Sequence, residues 1–164
     1  MNTPSPLLHT QMDVLFQKFT HCLMKDGKKT KAGKLLSETF LILQARLHHT
    51  GERKNQNLQV PLFWLVSRAL ENVTPSLEVR KVRVAGSTYV VPAVLSKKKQ
   101  ETLALKWLVE SARKRREKAG LPLSVCLADE IGDAFRKTGG ARQKRDELHR
   151  LAQLNRAYVR YRWW

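Results

Sequence analysis

Glu78-Val79-Arg80-Lys81-Val82-Arg83-Val84-Ala85-Gly86-Ser87-Thr88-Tyr89-Val90-Val91-Pro92 is the stretch that decides how this chain folds. Its valines and Tyr89 favour extended backbone, and Ala85-Gly86-Ser87 supplies turn residues, so the spacing predicts a β-hairpin over about 78–94. Arg80, Lys81 and Arg83 load one arm with positive charge; the far arm carries none before Pro92. Two strands alone cannot bury a core. The ribbon is therefore expected to project and grip something anionic.

The flanks read as helices. Met12, Leu15, Phe16, Phe19 and Leu23 recur at helical spacing until Asp26-Gly27. Thr30 is placed to cap a second helix with the face Leu36, Phe40, Leu43 and Leu47, and Thr50 to Asn57 reads as a polar loop. Pro61 suits the first turn of a third helix carrying Leu65, Val66, Ala69 and Val73, which Pro75 stops. Beyond the hairpin, Lys97 to about Lys118 carries an apolar surface broad enough to be placed centrally, with Trp107 on it as a core residue. Gly120-Leu121-Pro122 breaks that helix. A fifth helix runs from Leu123 to Gly139-Gly140, and a sixth uses Leu148, Leu151, Ala152 and Asn155. The expected fold is mainly α: six helices with a protruding basic hairpin between helices three and four. All of residues 1–164 are expected to form a single domain, with an aromatic, basic tail over 156–164.

Charge points to the partner. With 31 Lys+Arg against 14 Asp+Glu the net charge is +17, which opposes compaction by self-repulsion and favours a polyanion. The excess is clustered. Lys25, Lys28, Lys29, Lys31 and Lys34 face one acid, Asp26; Arg136 to Arg162 holds nine basic residues against two acids. Between them lie the hairpin, Lys97-Lys98-Lys99 and Arg113-Lys114-Arg115-Arg116. These clusters fall at helix ends and connections, where long side chains reach a phosphate backbone without disturbing a core. RNA offers such a line of phosphates, and unpaired bases for Tyr89, Tyr158, Tyr161, Trp163 and Trp164 to stack on.

Other chemistries are weak here. Gly27-Lys28-Lys29-Thr30 lacks the upstream glycine and the hydroxyl position of a phosphate-binding loop. Cys22 and Cys126 read as small apolar residues, and no metal or cofactor is expected. Asp129, Glu130 and Asp133 form the one acidic cluster; a small basic metal-dependent nuclease would use such carboxylates, but on an amphipathic helix they are more often solvated or paired with Arg and Lys. No apolar run approaches the ~20 residues of a membrane span. A membrane-surface module is disfavoured because the cations gather at ends and turns, not along one helix face. Met1 to Val14 has no Lys or Arg, which argues against a secretory signal and an Arg-rich transit peptide.

From about Leu70 to Trp163 the chain resembles the small-subunit ribosomal protein seven family, in its bacterial and organellar branch. The residues that carry this are Glu71-Asn72-Val73 with Pro75, Glu78-Val79-Arg80 through Val84, and Gly86-Ser87-Thr88-Tyr89 with Val91-Pro92. They continue as Leu103-Ala104-Leu105-Lys106-Trp107-Leu108-Val109-Glu110, Ala112-Arg113-Lys114-Arg115, Lys144-Arg145 with His149, and Asn155-Arg156-Ala157-Tyr158 before Tyr161-Arg162-Trp163. Met24 to Lys29 matches the family's early basic turn.

The resemblance implies a non-enzymatic structural constituent of the small ribosomal subunit that binds the 3′ major domain of its rRNA and supports assembly of the head. It places the hairpin, with Arg83, Gly86, Ser87, Thr88 and Tyr89, near the exit-site tRNA and the mRNA path, and ribosomal protein eleven beside it. Arg80, Lys81 and Arg83 would face RNA, and Lys25, Lys28, Lys29, Arg113, Lys114, Arg115, Lys144 and Arg145 would lie on rRNA. The charge clusters add Lys31, Lys97, Lys98, Lys99, Arg116 and Arg142. Three departures stand out: the basic N-terminal arm of bacterial members is missing, Ala85 replaces a usual second glycine, and the chain ends Trp163-Trp164 instead of in one Trp. The missing arm and the ending look like mitochondrial members of plants and protists. The expected location is the small ribosomal subunit of the mitochondrion, with plastid or bacterial cytoplasm as the alternative.

Overall fold

The computed structural model describes residues 6–53 and 62–164. Its elements run α1 (Pro6–Leu23), α2 (Lys29–Arg53), α3 (Leu62–Val73), β1 (Leu77–Val84), β2 (Ser87–Val94), α4 (Lys97–Ala119), α5 (Leu123–Phe135) and α6 (Gly139–Leu154), closed by a 3-10 helix over Arg156–Tyr161. The architecture is the mainly helical one expected, with the antiparallel ribbon between α3 and α4. No described helix is long and apolar enough to cross a membrane.

The core centres on α5, not on α4 as its broader apolar surface suggests. Cys126, Leu127, Ala128, Ile131 and Ala134 are fully buried, and α5 packs against α2, α3, α4 and α6. Small side chains on α5 let four helices approach closely. α4 contributes Ala104, Leu105, Leu108, Val109 and Ala112, then turns its basic C-terminal half to solvent. Trp107 packs against the core as expected. Phe19, Leu36 and Val66 are buried with them, each apolar side chain of this size contributing about 1.5–3 kcal/mol.

Several boundaries move. Asp26 and Gly27 both take left-handed backbone, at φ 54° and 71°, so they form the turn itself, and α1 ends at Leu23. The Ala32 N–H bonds the Lys28 carbonyl, which begins α2 before Thr30 and leaves that residue inside the first turn, not capping it. α2 continues through Arg53, past the start of the expected loop; the rest of that loop and Pro61 lie outside the described residues. α5 stops at Phe135, and Gly139-Gly140 opens α6 instead of ending α5. Gly139 sits at φ 88°, and a Cβ there would come within 2.9 Å of Asp133 Cβ. Leu151, expected inside, is 41% exposed, because α6 turns Ala141 and Ala152 inward.

The hairpin turn is Ala85-Gly86, with φ of 47° and 85°. Positive φ at both positions is what a two-residue connection between right-twisted strands needs. Alanine tolerates it at a cost of about 1–2 kcal/mol. The register pairs Val82 with Tyr89, Arg80 with Val91 and Glu78 with Ala93 on one face, and Lys81 with Val90 and Arg83 with Thr88 on the other. The first face is the buried one, through Val82, Val91 and Ala93. It is covered by α6, which meets β1, and by the 3-10 helix, which meets β2. That docking is why a two-stranded ribbon persists.

Candidate nucleic-acid interface

Helix starts carry the first cationic groups. Lys25, Lys29 and Lys31 are exposed around the α1–α2 turn and have no ion pair among the described residues; Lys28 lies 3.9 Å from Asp26. Lys97, Lys98 and Lys99 occupy the first turn of α4, which contains no acid. Cations there oppose the positive end of the helix dipole, an arrangement relieved when an anion binds. All three are exposed and unpaired among the described residues.

The Arg113-to-Arg116 run divides, because consecutive helical residues point about 100° apart. Arg115 turns inward. Its Nη2 lies 2.6 Å from Asp133 Oδ2 and 2.8 Å from Glu130 Oε1, and Nη1 lies 4.0 Å from Asp129. Burial by itself would lower the Arg115 pKa, but the Asp133 hydrogen bond and the Glu130 charge outweigh it and raise it. Arg46 donates to Asp129 at 2.6 Å. The acidic cluster is thus neutralised by arginine inside the protein. Arg113 donates to the Leu23 carbonyl at 3.3 Å, while Lys114 and Arg116 remain exposed and unpaired among the described residues. Lys114 and Lys118 line a groove of about 470 Å³ beside Lys144, Gln143 and the Ser111 side chain. Lys118 is absent from the sequence candidates; its i,i+4 spacing from Lys114 is the signal that identifies it.

On α6 the candidates are engaged with the protein. Arg142 donates to the Asn72 carbonyl at 2.6 Å and to Asp146 at 3.0 Å, and Arg145 donates to Asp146 at 2.7 Å. Lys144 pairs with Glu110. Asn72 Nδ2 in turn donates to the Ala134 and Phe135 carbonyls at 3.1 Å each. These residues join α6, α3 and the end of α5. Burial raises the Asp146 pKa, but hydrogen bonds from Arg145 and Arg142 overcome this and hold it below 3.8.

Strand alternation also divides the hairpin cations. Arg80 shares the docked face: it pairs with Glu78 and lies 5.1 Å over the Trp164 ring. Lys81 and Arg83 point from the opposite face, exposed and unpaired among the described residues. Gly86, Ser87 and Thr88 form the exposed tip. Tyr89 does not stand free beside them. It stacks on Tyr161 at 4.7 Å and meets Tyr158 at 5.1 Å, so the three tyrosines form one cluster that fastens the tail to the ribbon. Trp163 is 81% exposed, with its ring edge against Trp164.

This is a helical body with exposed cations at its helix ends and on its ribbon, and with its acidic cluster committed to arginine. The class this belongs to is the structural, non-enzymatic proteins of the small ribosomal subunit. The chain is a member of the family described as ribosomal protein S7p/S5e, whose model matches residues 2–156. Small ribosomal subunit protein uS7m of Prototheca wickerhamii is 37% identical, over 90% of this chain and 88% of that protein. The uS7m of Marchantia polymorpha is 42% identical over 96% of this chain, which spans 63% of that longer relative. The uS7 of Dictyoglomus turgidum is 41% identical over 98% of this chain and 92% of its own length.

Proposed function

We propose that residues 1–164 act as one rRNA-binding unit, which binds the 3′ major domain of small-subunit rRNA and supports assembly of the head. The observation that carries this reading is the sorting of the cations. Arg115, Arg142 and Arg145 are spent inside the protein, whereas Lys25, Lys29 and Lys31 at the α1–α2 turn, Lys97 to Lys99 at the start of α4, and Lys81 and Arg83 on the outer hairpin face have no side-chain partner among the described residues. Those unpaired groups are the ones available to replace counterions on phosphate. Family resemblance supports placing the hairpin tip near the exit-site tRNA and the mRNA path, with protein eleven as a neighbour. Likeness to the uS7m proteins of Prototheca wickerhamii, Marchantia polymorpha and Arabidopsis thaliana supports a mitochondrial subunit.

The test is affinity for a 3′ major domain transcript against excess unrelated structured RNA. Tight binding that survives competition is expected. Replacing Lys81 and Arg83 by Ala should flatten the salt dependence by about 0.7–0.9 log units for each phosphate no longer neutralised. Arg80→Ala should act mainly on the tail. Binding abolished by the competitor would reduce the protein to a generic polyanion binder. An unchanged slope in the double variant would remove the outer hairpin face from the interface.

A further inference from the structure

Trp64 lies in the first turn of α3 and is 49% exposed. Its neighbours Leu65 and Val66 fill the core, so the indole is not needed there. Among the described residues its one ring partner is Phe135, 5.5 Å away with the planes at 68°. An edge contact of this kind supports the indole from one side and leaves aromatic surface open to another ring.

The ring that backs the indole leads directly into two cations. Phe135 is the last residue of α5, and Arg136 and Lys137 follow it directly, both exposed. The Arg136 side chain is 76% exposed, and its nearest carboxylate, Asp133, is 3.8 Å away and already holds Arg115. Lys137 has no partner among the described residues, and its φ of 63° turns the chain sharply at this point. Arg68, one turn along α3 from Trp64, is paired with Glu71. The segment that follows Phe135 is therefore cationic, with Arg68 balanced by Glu71.

We propose that Trp64, backed by Phe135, is a stacking platform for an unpaired base of rRNA, with Arg136 and Lys137 meeting the adjoining phosphates. This rests on the rRNA-binding reading above and adds a contact outside the basic clusters at the α4 start and hairpin. A nucleotide presents a flat π-face and an anion within a few ångströms of each other, which suits an indole whose ring partner Phe135 is followed by two exposed cations, Arg136 sharing Asp133 with Arg115 and Lys137 unpaired among the described residues. An apolar protein patch on the same indole would desolvate Arg136 and Lys137 with no charge to meet them.

The experiment measures affinity of the full chain for the 3′ major domain transcript in four variants, with thermal melts to show each is folded. Trp64→Ala should weaken binding about 5- to 150-fold while leaving the salt slope unchanged. Trp64→Phe, which keeps a ring, should recover most of the affinity, and Trp64→Leu, which keeps apolar bulk without one, should not. Arg136→Ala with Lys137→Ala should flatten the salt slope. Wild-type affinity retained by Trp64→Ala, or restored by Trp64→Leu, overturns the platform and leaves the rRNA reading standing. Failure of the wild type itself to bind the transcript overturns both.

Discussion

Arg115 ties α4 to α5 through one guanidinium. The Glu130 carboxylate beneath it has a side chain only 4% exposed, so removing the arginine would leave a buried charge poorly compensated. Breaking such a pair from one side costs about 3–5 kcal/mol, and the partial exposure of Arg115 puts Arg115→Ala near the lower end. Urea unfolding should show that destabilisation, while Lys114→Ala, one residue away on the solvent side, should stay within about 0.5 kcal/mol of wild type. Equal effects in the two variants would contradict the inward role of Arg115. In sequence these residues are adjacent members of one cationic run. What separates them is direction, which follows from the helix, and the presence of acids from α5, which local sequence does not show.

The elements are joined by polar contacts as well as by the core. α6 is fastened to the α3–β1 junction where Arg142 reaches the Asn72 carbonyl and where the Ser76 N–H donates to His149 Nε2 at 3.4 Å. Burial, then the charge of Arg145, pulls the His149 pKa below its ordinary 6.5, with Arg142 acting the same way and Asp146 opposing. Neutral imidazole is therefore the folded form, able to accept from Ser76. A depressed folded pKa means the unfolded chain takes up the proton first as pH falls. The His149 contribution is fully present above 6.5 and is lost as pH drops through the lower folded value. Thermal melts should show stability declining as pH falls from 6.5 toward that lower value, and His149→Gln should flatten the decline in this window. Asp146 behaves likewise but further down, since its own contribution disappears below 3.8. A wild-type profile level through the histidine window would exclude this joint as a titrating element. The hairpin is an element read almost fully in sequence, from alternation and turn residues. Its docking was not legible, because Tyr89 meets Tyr158 and Tyr161 only when residues some seventy positions apart are folded together.

For the whole molecule, a net charge of +17 sets two salt effects of opposite sign. Screening relieves self-repulsion in the free protein, so its melting temperature should rise between low salt and about 0.5 M. Affinity for rRNA should fall over the same range, because each neutralised phosphate releases counterions. Melts and transcript titrations in one salt series check both; a melting temperature that fell in parallel with affinity would show that internal ion pairs, not repulsion, dominate the free state. The sequence by itself determined the helical periodicities, the ribbon and its turn, and where cations concentrate, since these follow from short-range backbone sterics and from composition. Only the tertiary structure decided that α5 is the central helix, that the tyrosines close on one another, and which cations remain free. Pairing depends on distance between residues far apart in the chain. Arg46 and Asp129, 83 positions apart, meet at 2.6 Å because two helices pack there, and nothing in either residue's neighbourhood announces it.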